Sequence, residues 1–444
     1  MSSPKRILGN LFFLLIPFFC LSQNWEISTL TPLPEGVSNN AVESAIVDGE
    51  ACIYSFAGID STKIYSGIHL KSWKYNTVTD VWNAIDPLPD DLGKIAAGAS
   101  RVDDIIYIMG GYNVFANGSE TSSPKVHRFD VLSETYLTDG APIPVATDDH
   151  VQAVWRDSLI YVITGWSNIT NINNVQIYNP DEDNWQVGTP VPNNNSYKSF
   201  GASGMIVGDT IYYFGGAASI GSFPIQQHFR KGVINPENPT EITWTIGTIA
   251  NNSVGYRMGA TSVGENIYWI GGSGVTYNFN GIAYNGSGGV PTLNRILSFN
   301  TTTNEATTEN YDLIPMDLRG IASVNDSVKY VIGGMVDNQK VSNQLFKLVL
   351  KGDNTTSNKN ISSDHLSMEI SPNPVDDILH LRVTSSKVGP ANISIFDELG
   401  QMVLSQSSQL TTGENTLELA ADKLNNGWYI LSVETKEGLS LIHI

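Results

Sequence analysis

Asn266-Ile-Tyr-Trp-Ile-Gly-Gly272 decides the fold, because the chain says it again and again. Ile106-Tyr-Ile-Met-Gly-Gly111, Ile211-Tyr-Tyr-Phe-Gly-Gly216 and Lys329-Tyr-Val-Ile-Gly-Gly334 repeat it, and Ile53-Tyr54 to Gly58 and Ile160-Tyr161 to Gly165 carry shorter forms. The six tyrosines, Tyr54, Tyr107, Tyr161, Tyr212, Tyr268 and Tyr330, stand 53, 54, 51, 56 and 62 residues apart. A period of that size marks a stack of supersecondary units, none of which can bury its apolar face alone. Each glycine pair ends an apolar run, where a missing Cβ permits positive φ and close backbone approach.

Working outward, the copies are preceded by strands of small residues, such as Ala96-Ala-Gly-Ala-Ser100 and Met258-Gly-Ala-Thr-Ser262, and by tight polar turns such as Val102-Asp-Asp104. A third strand follows, for example Val175-Gln-Ile-Tyr-Asn179, and then a fourth marked by Trp82, Tyr136, Trp185 or Trp244. Unit five has Asn304-Glu-Ala306 where that aromatic is expected, and unit six turns polar after Phe346-Lys-Leu-Val-Leu350 with no fourth strand at all. The missing strand reads at the other end of the chain, in Asn24-Trp25-Glu-Ile-Ser28 followed by Pro32-Leu-Pro34. Pairing it with unit six closes a ring and removes the open edges of a linear array. The expectation is an all-β chain with a six-bladed β-propeller over residues 23–351, closed by its N-terminal strand. These phrases resemble the kelch repeat, and the resemblance covers about three quarters of the chain. Blade number, export and the phrase Pro32-Leu-Pro-Glu-Gly-Val37 are also similar to bacterial kelch-type N-acetylneuraminate epimerases (mutarotases).

The composition agrees and narrows the function. The 444 residues carry 25 Lys+Arg against 44 Asp+Glu, a formal charge of −19, which makes nucleic acid a poor partner. With 41% hydrophobic residues, 16% charged residues and 40 glycines, the chain is too apolar for disorder and too Gly-rich for a helical bundle. Lys5 and Arg6 before the run Leu11 to Leu21 read as a signal peptide over residues 1–22, too short to span a bilayer. Its removal takes Cys20 and leaves Cys52 as one thiol, inside a strand, and no later segment reads as a membrane span.

Residues 352–365 are small, polar and aperiodic, a linker. Beyond it, residues 366–444 alternate like a small β-sandwich. Ser371-Pro-Asn-Pro374, Ile395-Phe-Asp-Glu-Leu-Gly400 and Leu424-Asn-Asn-Gly-Trp-Tyr429 resemble the type A C-terminal sorting domain of the Bacteroidetes type IX secretion system. That resemblance implies the secretion machinery as a partner and release or attachment outside the cell. The ending Leu441-Ile-His-Ile444 departs from the basic ending common in that family.

In a propeller the long loops between second and third strands share a face with the start of each innermost strand. The residues 11 to 14 positions before the repeat tyrosines are Asn40, Lys94, His150, Lys198, Arg257 and Arg319, five of them basic or imidazole. A ring of cations would focus an anionic ligand, and Arg257 and Arg319 suit a carboxylate. The same residues also suit a structural role, bonding carbonyls of neighbouring blades. Asp149 beside His150 is the candidate acid/base pair, since a carboxylate can orient an imidazole and raise its basicity. Tyr197, Tyr256 and His69 complete the candidate ligand face; a metal would need ligands beyond Asp148, Asp149 and His150, and no cofactor is implied. No copper-radical, sialidase, Walker, zinc-protease or nucleophile-elbow pattern occurs. Two readings follow. The first is an exported binding, adhesion or protein-interaction module; the alternative is a mutarotase or epimerase acting on an anionic sugar such as a sialic acid.

Overall fold

The computed structural model describes residues 25–249, 253–351 and most of 366–443, leaving aside 372–377, 386–387, 398–401, 422–423, 425–426, 428 and 436–437. The signal peptide, the linker and parts of the three sorting-domain phrases lie outside the described residues. The chain divides into two compact units at Gly352/Asp353.

In the first unit six antiparallel sheets follow one another in chain order, five of them four-stranded and that of blade 2 carrying a fifth short strand, Glu120–Ser122, paired to Ile105–Val114. Blade 1 runs from its inner strand Ala41–Val47 through Glu50–Ile59 and Ile68–Asn76 to Val81–Ile85. The inner strands of blades 2 to 6 are Ile95–Val102, Val151–Trp155, Ser203–Val207, Gly259–Val263 and Ala322–Ser323. Blade 6 takes its outer strand from the N-terminal region: Trp25–Leu30 pairs antiparallel with Leu345–Leu350, so the ring closes as the sequence predicts. Blade 5, expected to be irregular, has a regular outer strand, Ala306–Asn310. The aromatic role falls to Tyr311 just after it, whose hydroxyl accepts from the Trp25 backbone N–H and so ties blade 5 to the closing strand.

Each repeat tyrosine turns out to be a piece of the core between its own blade and the next. Tyr54 packs with blade 2, Tyr107 with blade 3, Tyr161 with blade 4, Tyr212 with blade 5, Tyr268 with blade 6 and Tyr330 with blade 1. Every wedge between blades is therefore filled by the same aromatic, which is why the phrase recurs. The glycines have an equally steric reason. A Cβ on Gly215 or Gly271, both at positive φ, would stand 2.0 Å from the backbone oxygen of Gly255 or Pro315 in the following segment.

The second unit has two sheets, one of Leu366–Ser371, Ile378–Ser385 and Gly413–Ala420, the other of Met402–Leu410, Gly389–Phe396, Ile430–Thr435 and Gly438–His443. Leu379, Leu381 and Val383 of the first meet Ile393, Ile395, Leu431 and Val433 of the second in one core. It is the small β-sandwich that the alternation predicts.

Candidate functional site

Six residues, five shortly before an inner strand and Ala96 at the start of one, form a circle of backbone hydrogen bonds at one end of the channel. Asn39 N–H donates to Asp317 O, Ala96 to Asn39, Asp149 to Ala96, Gly201 to Asp149, Arg257 to Gly201, and Leu318 N–H returns to Arg257 O, at 2.8–3.4 Å. All six, Asn39, Ala96, Asp149, Gly201, Arg257 and Asp317, hold left-handed φ between 47° and 65°. For the five that are not glycine this conformation costs energy, and it persists because the closed circle over-determines it; such strain collects at functional sites.

The circle's side chains build a buried charge network. Arg257 grips Asp149 with two bonds, Nε to Oδ1 at 3.1 Å and Nη2 to Oδ2 at 2.6 Å, and reaches Asp317 Oδ1 with Nη1 at 3.0 Å. Arg319 donates to Asp149 Oδ1 at 3.3 Å and to the His150 carbonyl at 2.8 Å. Asp317 also accepts from Ser38 Oγ at 2.7 Å. The four charged side chains are at most 4% exposed. Burial pushes the Asp149 carboxyl up, yet Arg257 and Arg319 outweigh it and hold it below the usual range. The Arg257 ring neighbours are aromatic: its guanidinium carbon lies 5.2 Å from the Tyr256 ring centre and 5.5 Å from that of Tyr277.

Two cavities meet this network. One, of about 90 Å³, lies on the side of the long loops and is lined by Tyr112, Glu120, Asp148, Asp149, Trp166, Phe200, Phe223, Arg257, Asn278 and Tyr284. Its aromatic wall is continuous, with Trp166 to Phe223 at 5.6 Å and Phe223 to Tyr284 at 4.8 Å between ring centres. The other, of about 280 Å³, follows the inner strands and is lined by Glu43, Ser100, His150, Gln152, Ser203, Thr261, Arg319 and Ser323 among others. Burial raises the Glu43 carboxyl to about 7.

The sequence-predicted residues scatter around this geometry. Arg257 stands on the circle, with Arg319 beside it, but their charges face Asp149 and Asp317 rather than open space. Asp148, Asp149 and His150 point three ways: Asp148 Oδ2 accepts from Ser122 Oγ at 2.5 Å, Asp149 holds the arginines, and His150 Nε2 meets Gln152 Oε1 at 3.0 Å. No carboxylate among the described residues therefore bonds the imidazole. Burial and then Arg319 lower the His150 pKa to about 4, the reverse of the expected gain in basicity. Asn40 bonds Ser55 within its blade, at 2.8 Å. Lys94 is not at the channel; it is buried against Asp90 at 2.7 Å and His127 at 3.1 Å. Lys198 is half-buried, with its carbonyl engaged by Gln226. Tyr197 packs in the core between blades 3 and 4, and Tyr256 is wholly buried beneath Arg257. His69 has both ring nitrogens buried without a partner among the described residues.

Sequence reasoning missed Asp317, Asn39 and, of the aromatic wall, Trp166 and Phe223. Fixed counting back from the tyrosines fails because the circle residues lie 11 to 15 positions before them, the loop length varying from blade to blade. Positive φ was the usable signal, hinted at by Asn39, Asp149 and Asp317 just ahead of an apolar strand.

Fold and tail together define the class: a six-bladed β-propeller with repeats similar to those of kelch proteins, followed by a secretion-system C-terminal sorting domain that addresses the chain to the cell surface or the extracellular space. Residues 369–443 match the family described as a secretion system C-terminal sorting domain, which engages the secretion machinery. The propeller is similar to Kelch-like protein 23 of Mus musculus, 27% identical over 303 residues, covering 64% of this chain and 46% of that one. Kelch-like protein 36 of Bos taurus is 33% identical over 127 residues, 27% of this chain and 19% of its own. The chain spans less than half the length of these two curated relatives. In three dimensions the fold matches the solved structure of YjhT with a TM-score of 0.59 at 14% identity, covering 73% of this chain and 98% of that one. Among the described residues no helix is long and apolar enough to cross a membrane.

Proposed function

We propose that the protein is an exported binding module that holds its ligand at the loop-lined mouth of the propeller without transforming it. One observation carries this reading: Asp149, half of the candidate acid/base pair, is consumed by Arg257 and Arg319, while loops of four blades wall a cavity beside it. A carboxylate held by two guanidiniums in a dry site is a poor proton acceptor. Half-buried aromatic rings beside open polar groups are what ligand pockets present. The wall belongs to the loops rather than the strands, so its chemistry varies without disturbing the blades.

One feature favours the alternative, a mutarotase acting on an anionic sugar: His150 and Arg319 both line the 280 Å³ cavity, with His150 Nδ1 and Arg319 Nε having no hydrogen-bond partner among the described residues. A thermal-shift panel of bacterial and host surface saccharides, run with wild type and Tyr284→Ala, tests the first reading. Stabilisation that Tyr284→Ala loses supports it. Acceleration of sialic-acid anomer exchange by wild type, followed by NMR and lost in His150→Gln, overturns it in favour of the mutarotase.

A further inference from the structure

The 90 Å³ cavity has the wrong charge for the anionic ligand that a ring of cations suggests. Its one cation, Arg257, already spends its guanidinium on Asp149 and Asp317. What remains is acid: Asp148 and Glu120 line the same space, and neither has a cationic partner within ion-pair distance among the described residues. Asp148 is only 3% exposed. Its Oδ2 takes the Ser122 hydroxyl, while Oδ1 accepts no hydrogen bond from any described residue. A carboxylate 3% exposed on a cavity wall, with a single hydroxyl donor among the described residues, is costly to ionise unless a counter-charge fills the space beside it.

The rest of the wall is aromatic. Trp166, Phe223 and Tyr284 come from loops of three successive blades, are half-buried, and lie edge to face against one another. Ring faces attract cations through their quadrupole, and aromatic cages with a carboxylate recognise substituted ammonium groups. The space holds about six waters at ~15 Å³ each, enough for an ammonium carrying several carbons.

We propose that this cavity binds the ammonium head of an amine-bearing ligand, with Asp148 and Glu120 as counter-ions and the rings of Trp166, Phe223 and Tyr284 against its carbons. The assignment rests on the mouth being a binding site and adds the chemistry of what it holds. It has a protonic signature. Burial first, and then the Asp149 charge with Glu120 behind it, push the Asp148 carboxyl well above its ordinary range, against the Ser122 hydroxyl and Arg257. An arriving cation ionises that carboxyl, so binding releases a proton and strengthens as pH rises.

Isothermal titration of the full chain with choline, and with its neutral isostere 3,3-dimethylbutan-1-ol, tests the proposal. Expected is saturable choline binding, at least about tenfold tighter than the isostere, with a heat that changes with buffer ionisation enthalpy. Asp148→Asn should weaken choline by about tenfold or more. Glu120→Gln, at an exposed position, should weaken it with no change in melting temperature, which separates charge from folding. Equal affinity for choline and the isostere, unchanged affinity in both variants, or no saturation by choline at millimolar concentration overturns the proposal. If saccharides stabilise the protein through Tyr284 while choline does not bind, the ammonium assignment falls and the binding mouth stands; if neither binds, both fall.

Discussion

Arg257 concentrates the physics of this protein in one side chain. It adopts a left-handed backbone, bridges two carboxylates and covers two tyrosine rings while 1% exposed. Buried pairs of this kind add little against an apolar replacement but are severe to break, since the abandoned charges stay buried. Arg257→Ala should therefore cost about 3–5 kcal/mol in chemical denaturation. Adding Asp149→Asn should recover part of that loss, and a single variant within ~0.5 kcal/mol of wild type would show the network to be dispensable. Two other residues give opposite pH slopes. His150 is held neutral, its pKa lowered from 6.5 to about 4, so its contribution is complete above pH 6.5 and drains away as pH falls toward 4. Glu43 goes the other way: raised from 4.5 to about 7, it favours the fold at low pH and loses that contribution as pH climbs from 4.5 through 7. Glu43→Gln should thus gain stability at pH 8 relative to wild type, and His150→Gln should flatten the acid limb between pH 6.5 and 4. Parallel pH–stability curves for wild type and variants would contradict both.

Among the elements, the N-terminal strand bears most. Trp25–Leu30 supplies the outer edge of blade 6, and Trp25 stands edge-on to Tyr268 of blade 5 at 5.1 Å. Trp25→Ala should cost about 3–5 kcal/mol, the usual price of emptying a large core site, and should do so through ring closure. Removing residues 25–30 altogether should leave Leu345–Leu350 as an open edge and produce oligomers in light scattering. A monomeric, cooperatively melting product would mean the ring closes without it. This element was legible in the sequence, because blade 6 lacked a strand and the N-terminal region carried a spare one. The inner-strand lead-ins were less legible. The six circle residues share no side-chain chemistry, being Asn, Ala, Asp, Gly, Arg and Asp; they share a backbone conformation set by closure.

For the whole molecule, the division at Gly352/Asp353 leaves a propeller and a sandwich each with its own core. Calorimetry of the full chain should show two transitions, and a chain ending at Gly352 should keep the propeller's transition unchanged while failing to reach the cell surface. A single transition shifted by the truncation would show the units to be energetically coupled. The net charge of −19 also changes meaning at this scale. The cations chosen from the sequence do not form an open positive ring: Arg257 and Arg319 are paired with Asp149 and Asp317, and Lys94 with Asp90, while Glu120 and Asp148 at the mouth have no cationic partner among the described residues.

The sequence by itself determined the number of blades, their four-strand pattern, the closing strand and the sorting tail. Those follow from local periodicity, glycine punctuation and repeat spacing, which need no knowledge of distant contacts. Only the tertiary structure decided which charges meet. Asp149 and Arg257 are 108 residues apart, and Arg257 and Asp317 are 60 apart. Ring closure sets such neighbours through the register of six lead-in turns of unequal length, and Coulomb pairing in a dry channel then settles their ionisation.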